Sequence, residues 1–388
     1  MALDAALSTV VRGELRVVDR ALFYGHCLVN PPFEACRNTT TRLCGRPEKA
    51  NFGQPNVTKQ SLGYTVRVTV TDELRSVVRA YLADRPAAPW AAFARDLGTA
   101  GLAVPEEYGG AGCGPAETAV VAGELGRTLS PYPFLQSAVL AVEALKAGGD
   151  EAAMARLLPA LADGSVTATV VLPGDGDLTL RNGLLTGVVP YALEGDVVLA
   201  YADGFLVEAV PTRRVAYTTM DESRPLAELT FDQAPAHPAG DGAAWSRVRD
   251  LGIAALAAEQ VGGAERCLEM ATEHAKLRHQ FGRPIGSFQA IKHKLADLLL
   301  LVESARSAAL AAAGSEALAA IAGSYCTEAY LTAAGENIQV HGGIGVTWEH
   351  PAHRYLKRAT SDAQLFGPPQ AHRERLVPHV FQAKLAAQ

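Results

Sequence analysis

The stretch Leu277–Leu301, LRHQFGRPIGSFQAIKHKLADLLLL, together with Gln339–Pro351, QVHGGIGVTWEHP, decides how this chain is read. In the first, an Arg and an aromatic precede a Gly/Pro break, and the pattern predicts a helix opening at Ser287 with Phe288 and Gln289 in its first turn. A break feeding a helix N-terminus leaves backbone N–H groups without intrahelical acceptors, which suits an anion. In the second, a Gly pair after a helical run lets backbone approach a ligand that a side chain would block. Phosphate or pyrophosphate is the guest that both features favour.

Around these strings the C-terminal third, 243–388, reads as helix throughout. Trp245–Leu277 is Ala-rich, with Gly262 and Gly263 marking a close helix contact or a local weakening. From Ser287 to Ala313 an apolar stripe runs through Ile291, Leu295, Leu298, Leu299, Val302, Ala305 and Ala309, so this face must pack on other helices. Further helices are expected over Ser315–Val340 and from Gln370 onward, completing an up-and-down four-helix bundle.

Upstream the periodicity changes. Over 166–241, TATVVL, LLTGVV, DVVLAYA, GFLVEAV and AELTFD are short runs separated by Gly, Asp and Pro, the pattern of a small antiparallel β domain. Over 71–165 it is helical again. Thr71 or Asp72 is placed to cap a helix carrying Leu74, Val77, Val78 and Tyr81, which Pro86 ends. Helices over Trp90–Gly98 and Pro115–Leu129 flank a Gly-rich turn, VPEEYGG, whose Glu106 and Glu107 read as solvated. The fold class is α+β: N-terminal helical domain, small middle β domain, C-terminal helical bundle.

Residues 1–67 differ from the rest, holding Cys27, Cys36 and Cys44 and four of the six Asn, with little Ala and no long helical period. They read as a disordered extension, or as translation assigned too early, with the natural start near Val66 or Val68. The segment has no signal-peptide pattern, so the cysteines are expected as free thiols. Cys113, Cys267 and Cys326 show no metal-ligand spacing, and no metal is expected.

Composition sets the outer bounds. A chain of 388 residues, 48% hydrophobic, can bury a large core in two or three domains. Its net charge of −6 argues against nucleic acid or an anionic membrane as the main partner. No apolar run reaches the roughly eighteen residues of a membrane span, and a cytoplasmic protein is expected.

Arg278, Phe281 and Gly282, then Phe288 and Gln289, then Leu295–Asp297, and about fifty residues later Gln339, Gly342, Gly343 and Gly345 carry a family resemblance. The pattern R-x-x-F-G, F-Q, L-A-D, Q-x-x-G-G-x-G resembles that of the acyl-CoA dehydrogenases, flavoenzymes that oxidise the Cα–Cβ bond of an acyl thioester. Each piece is weak alone, the ordered set is specific, and the resemblance extends from about residue 71 onward. It implies that Arg278, Gln280, Phe281, Phe288 and Gln289 approach FAD across a subunit interface, with Arg278 on the pyrophosphate. It also implies that Gln339, Val340 and Gly343 line the adenosine and pyrophosphate end of the same cofactor.

Other family features are missing. The flavin loop T-E-P-x-A-G-S-D is replaced by LPGDGDLTL from Leu172, and the W-[IV]-[ST] strand by GVVPYA over 187–192. The family's catalytic Glu stands in one of two places, a Y-E-G-T loop or about twenty-six residues before the motif Arg. Here those places hold Gln364–Pro369, without an acid, and Gly252. Asp250 and Glu259 are the displaced alternatives, but two residues along a helix turn a side chain by about 200°. The catalytic base is therefore unassigned.

The combination resembles the unequal-subunit acyl-CoA dehydrogenases of actinobacteria, heterotetramers acting on bulky thioesters such as steroid side-chain CoA esters. It implies a half-site subunit that completes the FAD of a paralogous full-length partner, with an acyl-CoA substrate and an electron-transfer flavoprotein as acceptor. A self-sufficient homomer using a displaced acid and a flavin-free scaffold are the other readings.

Overall fold

A computed structural model describes the backbone of residues 59–386 and the side chains of 71–380. Arg67–Leu376 form one compact unit. The expected extension and its alternative start lie outside the described residues, except that the helix α1 spans Lys59–Asp84.

The N-terminal layer consists of α1, α2 (Trp90–Leu97), α3 (Pro115–Thr128), a π-helical turn Phe134–Ala141 running into α4 (Val142–Gly148), and α5 (Glu151–Ala162). Its boundaries follow local chemistry. Gly98 caps α2 with φ 65°, where a glycine lacks the Cβ penalty of the left-handed region. Asp150 caps α5 by accepting from the Ala153 N–H at 2.9 Å, and Glu117 reaches back to the Gly114 N–H at 3.1 Å. The expected cap at Thr71 or Asp72 is not one: α1 runs straight through both, and the Asp72 carboxylate pairs with Arg75 at 3.6 Å. Of α1's apolar residues, Val78 is fully buried while Val77 is exposed.

Seven strands follow: β1 (Ala168–Val171), β2 (Asp177–Arg181), β3 (Leu184–Leu193), β4 (Val197–Ala202), β5 (Phe205–Ala209), β6 (Arg213–Ala216) and β7 (Leu226–Asp241). Their order is β1-β4-β5-β7-β3-β2, with β6 also on β7. The sheet is mixed rather than antiparallel throughout, because β1 pairs β4 in parallel, Ala168 opposite Val197. All four residues of β1 are buried, as a strand covered on both faces should be.

The helical part comprises α6 (Trp245–Leu277), a hairpin of β8 (His279–Gln280) and β9 (Arg283–Pro284), α7 (Gln289–Ala311), α8 (Glu316–His341), α9 (Ala352–Asp362) and α10 (Pro369–Ala386). α7 opens at Gln289 rather than Ser287: a 3-10 turn occupies Ile285–Ser287, and Phe288 is extended, with φ −79° and ψ 135°. Its stripe holds at Leu298, Val302, Ala305 and Ala309, all buried, but Leu299 faces outward and is 48% exposed. α9 was not expected; its mean hydropathy is low, and its buried face mixes Ala352, Tyr355 and Ala359 with the charged Arg358 and Asp362.

Gly262 belongs to a close crossing of α3 and α6. An ideal Cβ there would lie 1.9 Å from the Gly123 carbonyl oxygen, and one on Gly126 would lie 2.0 Å from that of Glu259. Backbone cannot yield as a flexible side chain does, so Gly126→Ala is expected to destabilise the chain by about 2 kcal/mol, read as a lowered urea midpoint with an unchanged m-value.

Candidate functional site

Arg278 caps α6, donating its backbone N–H to the His274 carbonyl at 2.8 Å and accepting from the Ile285 N–H at 2.8 Å. The chain between forms the hairpin β8–β9, Gln280 opposite Arg283. At its tip Phe281 and Gly282 have φ 51° and 77°, the left-handed pair of a tight two-residue turn. Gly282 adopts this freely, whereas Phe281 holds it at an energetic cost. Phe281 is 91% exposed. Its ring meets that of Phe288 edge-on at 6.1 Å, and the Arg283 guanidinium lies 4.1 Å above the Phe288 ring. Among the described residues no carboxylate lies within ion-pair distance of Arg278.

Gln289 is exposed in the first turn of α7, whose start has no side-chain cap. At the end of α8, Gly342 takes φ 66° and ψ −144°, backbone that an L side chain avoids. Gly343 follows, and a Cβ built on it would meet nothing within 4 Å. Gln339 is exposed one turn back, while Val340 is turned inward, 7% exposed, so it packs instead of lining a surface. Val340 shares a small apolar cluster with Ala271, Ala275, Ile285 and Phe288. This cluster draws the two motifs together, so that Arg278, Gln280, Phe281, Gln289, Gln339 and Gly343 present one exposed edge with Phe288 and Val340 beneath.

A cavity of about 800 Å³ lies elsewhere, between the sheet and the helices, with Val189, Leu193 and Leu226 on one side and Thr360, Gln364 and Phe366 on the other. One wall is the turn that stands where the family's flavin loop would be. It closes on itself: the Leu172 N–H donates to Asp175 Oδ2 at 2.9 Å, and the Asp175 N–H to the Leu172 carbonyl at 3.1 Å. Burial pushes the Asp175 carboxyl up, and the Leu172 N–H only partly offsets it. An isoalloxazine ring needs donors directed at it and held there. A turn that spends its Leu172 and Asp175 N–H groups internally does not fit that ring.

The two places where the family's base could stand adjoin this cavity. An ideal Cβ on Gly252 would lie 2.9 Å from Phe366 Cζ and 2.6 Å from Leu140 Cδ2. Phe366 itself sits at φ 58° beside Gly367 at 95°. An aromatic ring from the second position therefore fills the space at the first.

The displaced acids are both committed. Asp250 is 3% exposed and pairs with Arg375 at 2.5 Å and Arg249 at 3.6 Å. Glu259 accepts from Arg224 and Arg358 at 2.5 Å each. Burial alone would raise the Glu259 carboxyl, but Arg224 and Arg358 hold it below the usual carboxylate range. Neither is a solvated face or a free base.

Sequence reading missed the network to which Glu259 belongs. Arg358 on α9 also meets Asp221 at 2.8 Å and the carbonyls of Ser130 and Ser223 at 3.2 and 3.0 Å. Arg224 lies 3.3 Å from Asp362. Asp221 and the neighbouring Thr360 line the cavity, so the network fixes one of its walls. The spacing Arg358–Asp362, one helical turn, was the available signal. Among the described residues no group of three or more His, Cys, Asp or Glu is arranged to hold a metal ion, and no helix is long and apolar enough to cross a membrane.

Comparison with known proteins covers most of the chain. The family model described as "Acyl-CoA dehydrogenase, C-terminal domain" matches residues 250–381, and "Acyl-CoA dehydrogenase, N-terminal domain" matches 57–165. The chain is 38% identical over 296 residues to the acyl-CoA dehydrogenase IpdE2 of Mycobacterium tuberculosis, covering 76% of this chain and 87% of that one. Among solved structures, the Tcur3481-Tcur3483 steroid ACAD (G363A variant) matches with a TM-score of 0.74 at 27% identity, over 82% of this chain and 99% of that one. The ChsE4-ChsE5 complex from M. tuberculosis matches with a TM-score of 0.72 at 27% identity, over 80% and 96%.

Proposed function

Since the chain belongs to the acyl-CoA dehydrogenase family, we propose that it is the non-catalytic or half-site subunit of a heteromeric acyl-CoA dehydrogenase, completing the FAD site of a paralogous partner. The observation that carries this reading is a contrast within one chain. Its own cavity has a self-satisfied turn at one wall, and Phe366 lies against Gly252 where a base would need room. Meanwhile its outward edge keeps an arginine, free helix-start donors and an open glycine turn.

In this reading Arg278 places its guanidinium fork on pyrophosphate oxygens. Gln289 and the first N–H groups of α7 add donors to the same anion, and Gly343 lets backbone come close. Gln280 and Phe281 reach across the interface, and Phe288 supports them from below. FAD, when bound, supplies the acceptor for the β-hydrogen of the acyl thioester; the proton acceptor comes from the partner. The similar structures include a steroid ACAD and a two-protein complex, which supports a bulky acyl-CoA substrate and an unlike partner. An electron-transfer flavoprotein is the acceptor expected of such an enzyme. The competing homomeric reading needs Asp250 or Glu259 as base, and both are held by arginines.

The test is the visible spectrum of the chain purified alone and after co-expression with a full-length paralogue. A colourless chain that becomes yellow only as a complex is expected; stoichiometric flavin on the chain alone would sink the half-site reading. Phe281 provides a second check. Phe281→Asn relieves the left-handed backbone and should stabilise the free chain by about 1 kcal/mol, yet weaken partner association roughly tenfold by removing an exposed aromatic anchor. Thermal melts and a titration against the partner read the two effects separately.

A further inference from the structure

Behind the exposed edge three imidazoles are stacked. His274 lies in the last turn of α6, His341 ends α8, and His350 sits in the turn that leads into α9. The ring centroids of His274 and His341 are 4.3 Å apart and those of His341 and His350 4.0 Å, each pair tilted by 35°. The middle ring is buried, at 8% exposure. The column thus spans three segments: the helix end that carries the Arg278 hairpin, the residue immediately before the Gly342–Gly343 turn, and the return from that turn.

Hydrogen bonds assign the protons. His341 Nδ1 lies 2.8 Å from the Asn337 carbonyl, which can only accept, so Nδ1 carries a hydrogen. His350 Nδ1 accepts from the Ala352 N–H at 3.2 Å and so carries none. Charging His350 would place a proton on the atom that now accepts, breaking that bond. The charged neighbours are unhelpful to a cation: Arg278 at the end of α6 faces His274, and His353, beside Lys357 and Arg354 on α9, faces His350. Of the adjoining acids in sequence, Glu273 is turned to Arg266 at 3.6 Å, and Glu349 is one residue before His350.

We propose that His274, His341 and His350 form a stacked strut that holds the arginine-bearing hairpin and the glycine turn in register, and that charging His274 or His350 loosens this edge. These are positioning residues. Two rings at 4 Å cannot both be cationic without repulsion in a half-buried site. Burial, then His341 and Arg278, keep His274 below the ordinary imidazole value of 6.5, and burial with His341, His274 and His353 does the same for His350. The sign follows. A group whose folded pKa is depressed leaves the unfolded chain binding more protons just below 6.5, so stability is present above that pH and lost as pH falls through it. The geometry of the strut is independent of the cofactor; its consequence for flavin retention rests on the proposed function.

The test is hydrogen exchange of the full chain at pH 7.5 and 5.5, corrected for intrinsic rates, following peptides over 274–289 and 339–352. Wild type should lose protection tenfold or more at pH 5.5 in these peptides alone. His341→Phe keeps an aromatic ring between the outer two but removes the imidazole that helps depress both, and should shrink the pH effect. Should that variant not fold, His350→Gln, whose amide oxygen can still accept from Ala352, should shrink the pH effect. Equal protection of wild type at both pH values, or a full pH response in His341→Phe, would overturn the strut. In the co-expressed complex, wild type should release flavin at pH 5.5 and His341→Phe should retain more of it. If exchange behaves as expected but flavin retention ignores pH, the strut stands and the shared-cofactor reading fails.

Discussion

Arg358→Met is expected to lower the unfolding free energy by about 4 kcal/mol, because it leaves buried carboxylates without their counter-charge. Arg358 is 3% exposed and touches Asp221 and Glu259 directly, at 2.8 and 2.5 Å. Methionine fills much of the same volume, so the loss reports charge more than packing. The urea midpoint should fall without a change in m-value, and adding Glu259→Gln to Arg358→Met should recover part of the loss, since the pair is coupled. A second handle is Asp362, which burial, aided by Glu259 and Asp221 and opposed by Arg224 and Arg358, pushes up to about 7. A carboxyl with a raised folded pKa contributes stability below its unfolded value that is lost as pH rises through the folded one. Asp362→Asn should therefore flatten the decline of stability between pH 4 and 7.

Arg278→Ala carries the other large effect, on the complex. The bare chain should melt unchanged within about 0.5 kcal/mol, since the side chain is exposed and no described carboxylate pairs with it. In the heteromer, loss of a charge-assisted contact to pyrophosphate should weaken FAD about 100-fold. Arg278→Lys keeps a point charge but not the fork, and should fall between the two. Flavin fluorescence on dilution reads the release. An Arg278→Ala complex that holds flavin as wild type does would remove this residue from the site.

The motifs of this edge were legible because their chemistry is local: glycines mark backbone that turns sharply, and an uncapped helix start follows Phe288 directly. Local signals failed where tertiary contacts decide. The start of α1 was placed at a plausible cap, but the helix runs through it and Asp72 turns to Arg75. Leu299 fits the apolar stripe of α7 by spacing and still faces outward. The parallel β1–β4 pair could not be told from an antiparallel one by short apolar runs. Arg358 was missed because its partners Asp221 and Glu259 lie 137 and 99 residues away. Gly252 was read as an empty base position, and the structure adds the reason that no acid fits there: Phe366, over a hundred residues later, packs against it.

A chain that serves a flavin only from outside needs a firm outer edge and can let its own cavity wall close, as the turn Leu172–Asp175 does. The measurement that tests this most directly is the number of flavins per pair of unlike chains, counted by native mass spectrometry of the purified heteromer together with its absorbance. One FAD for each pair, lost on Arg278→Ala in this chain, is the result the account predicts. Two FAD for each pair, or one that survives that substitution, would contradict it.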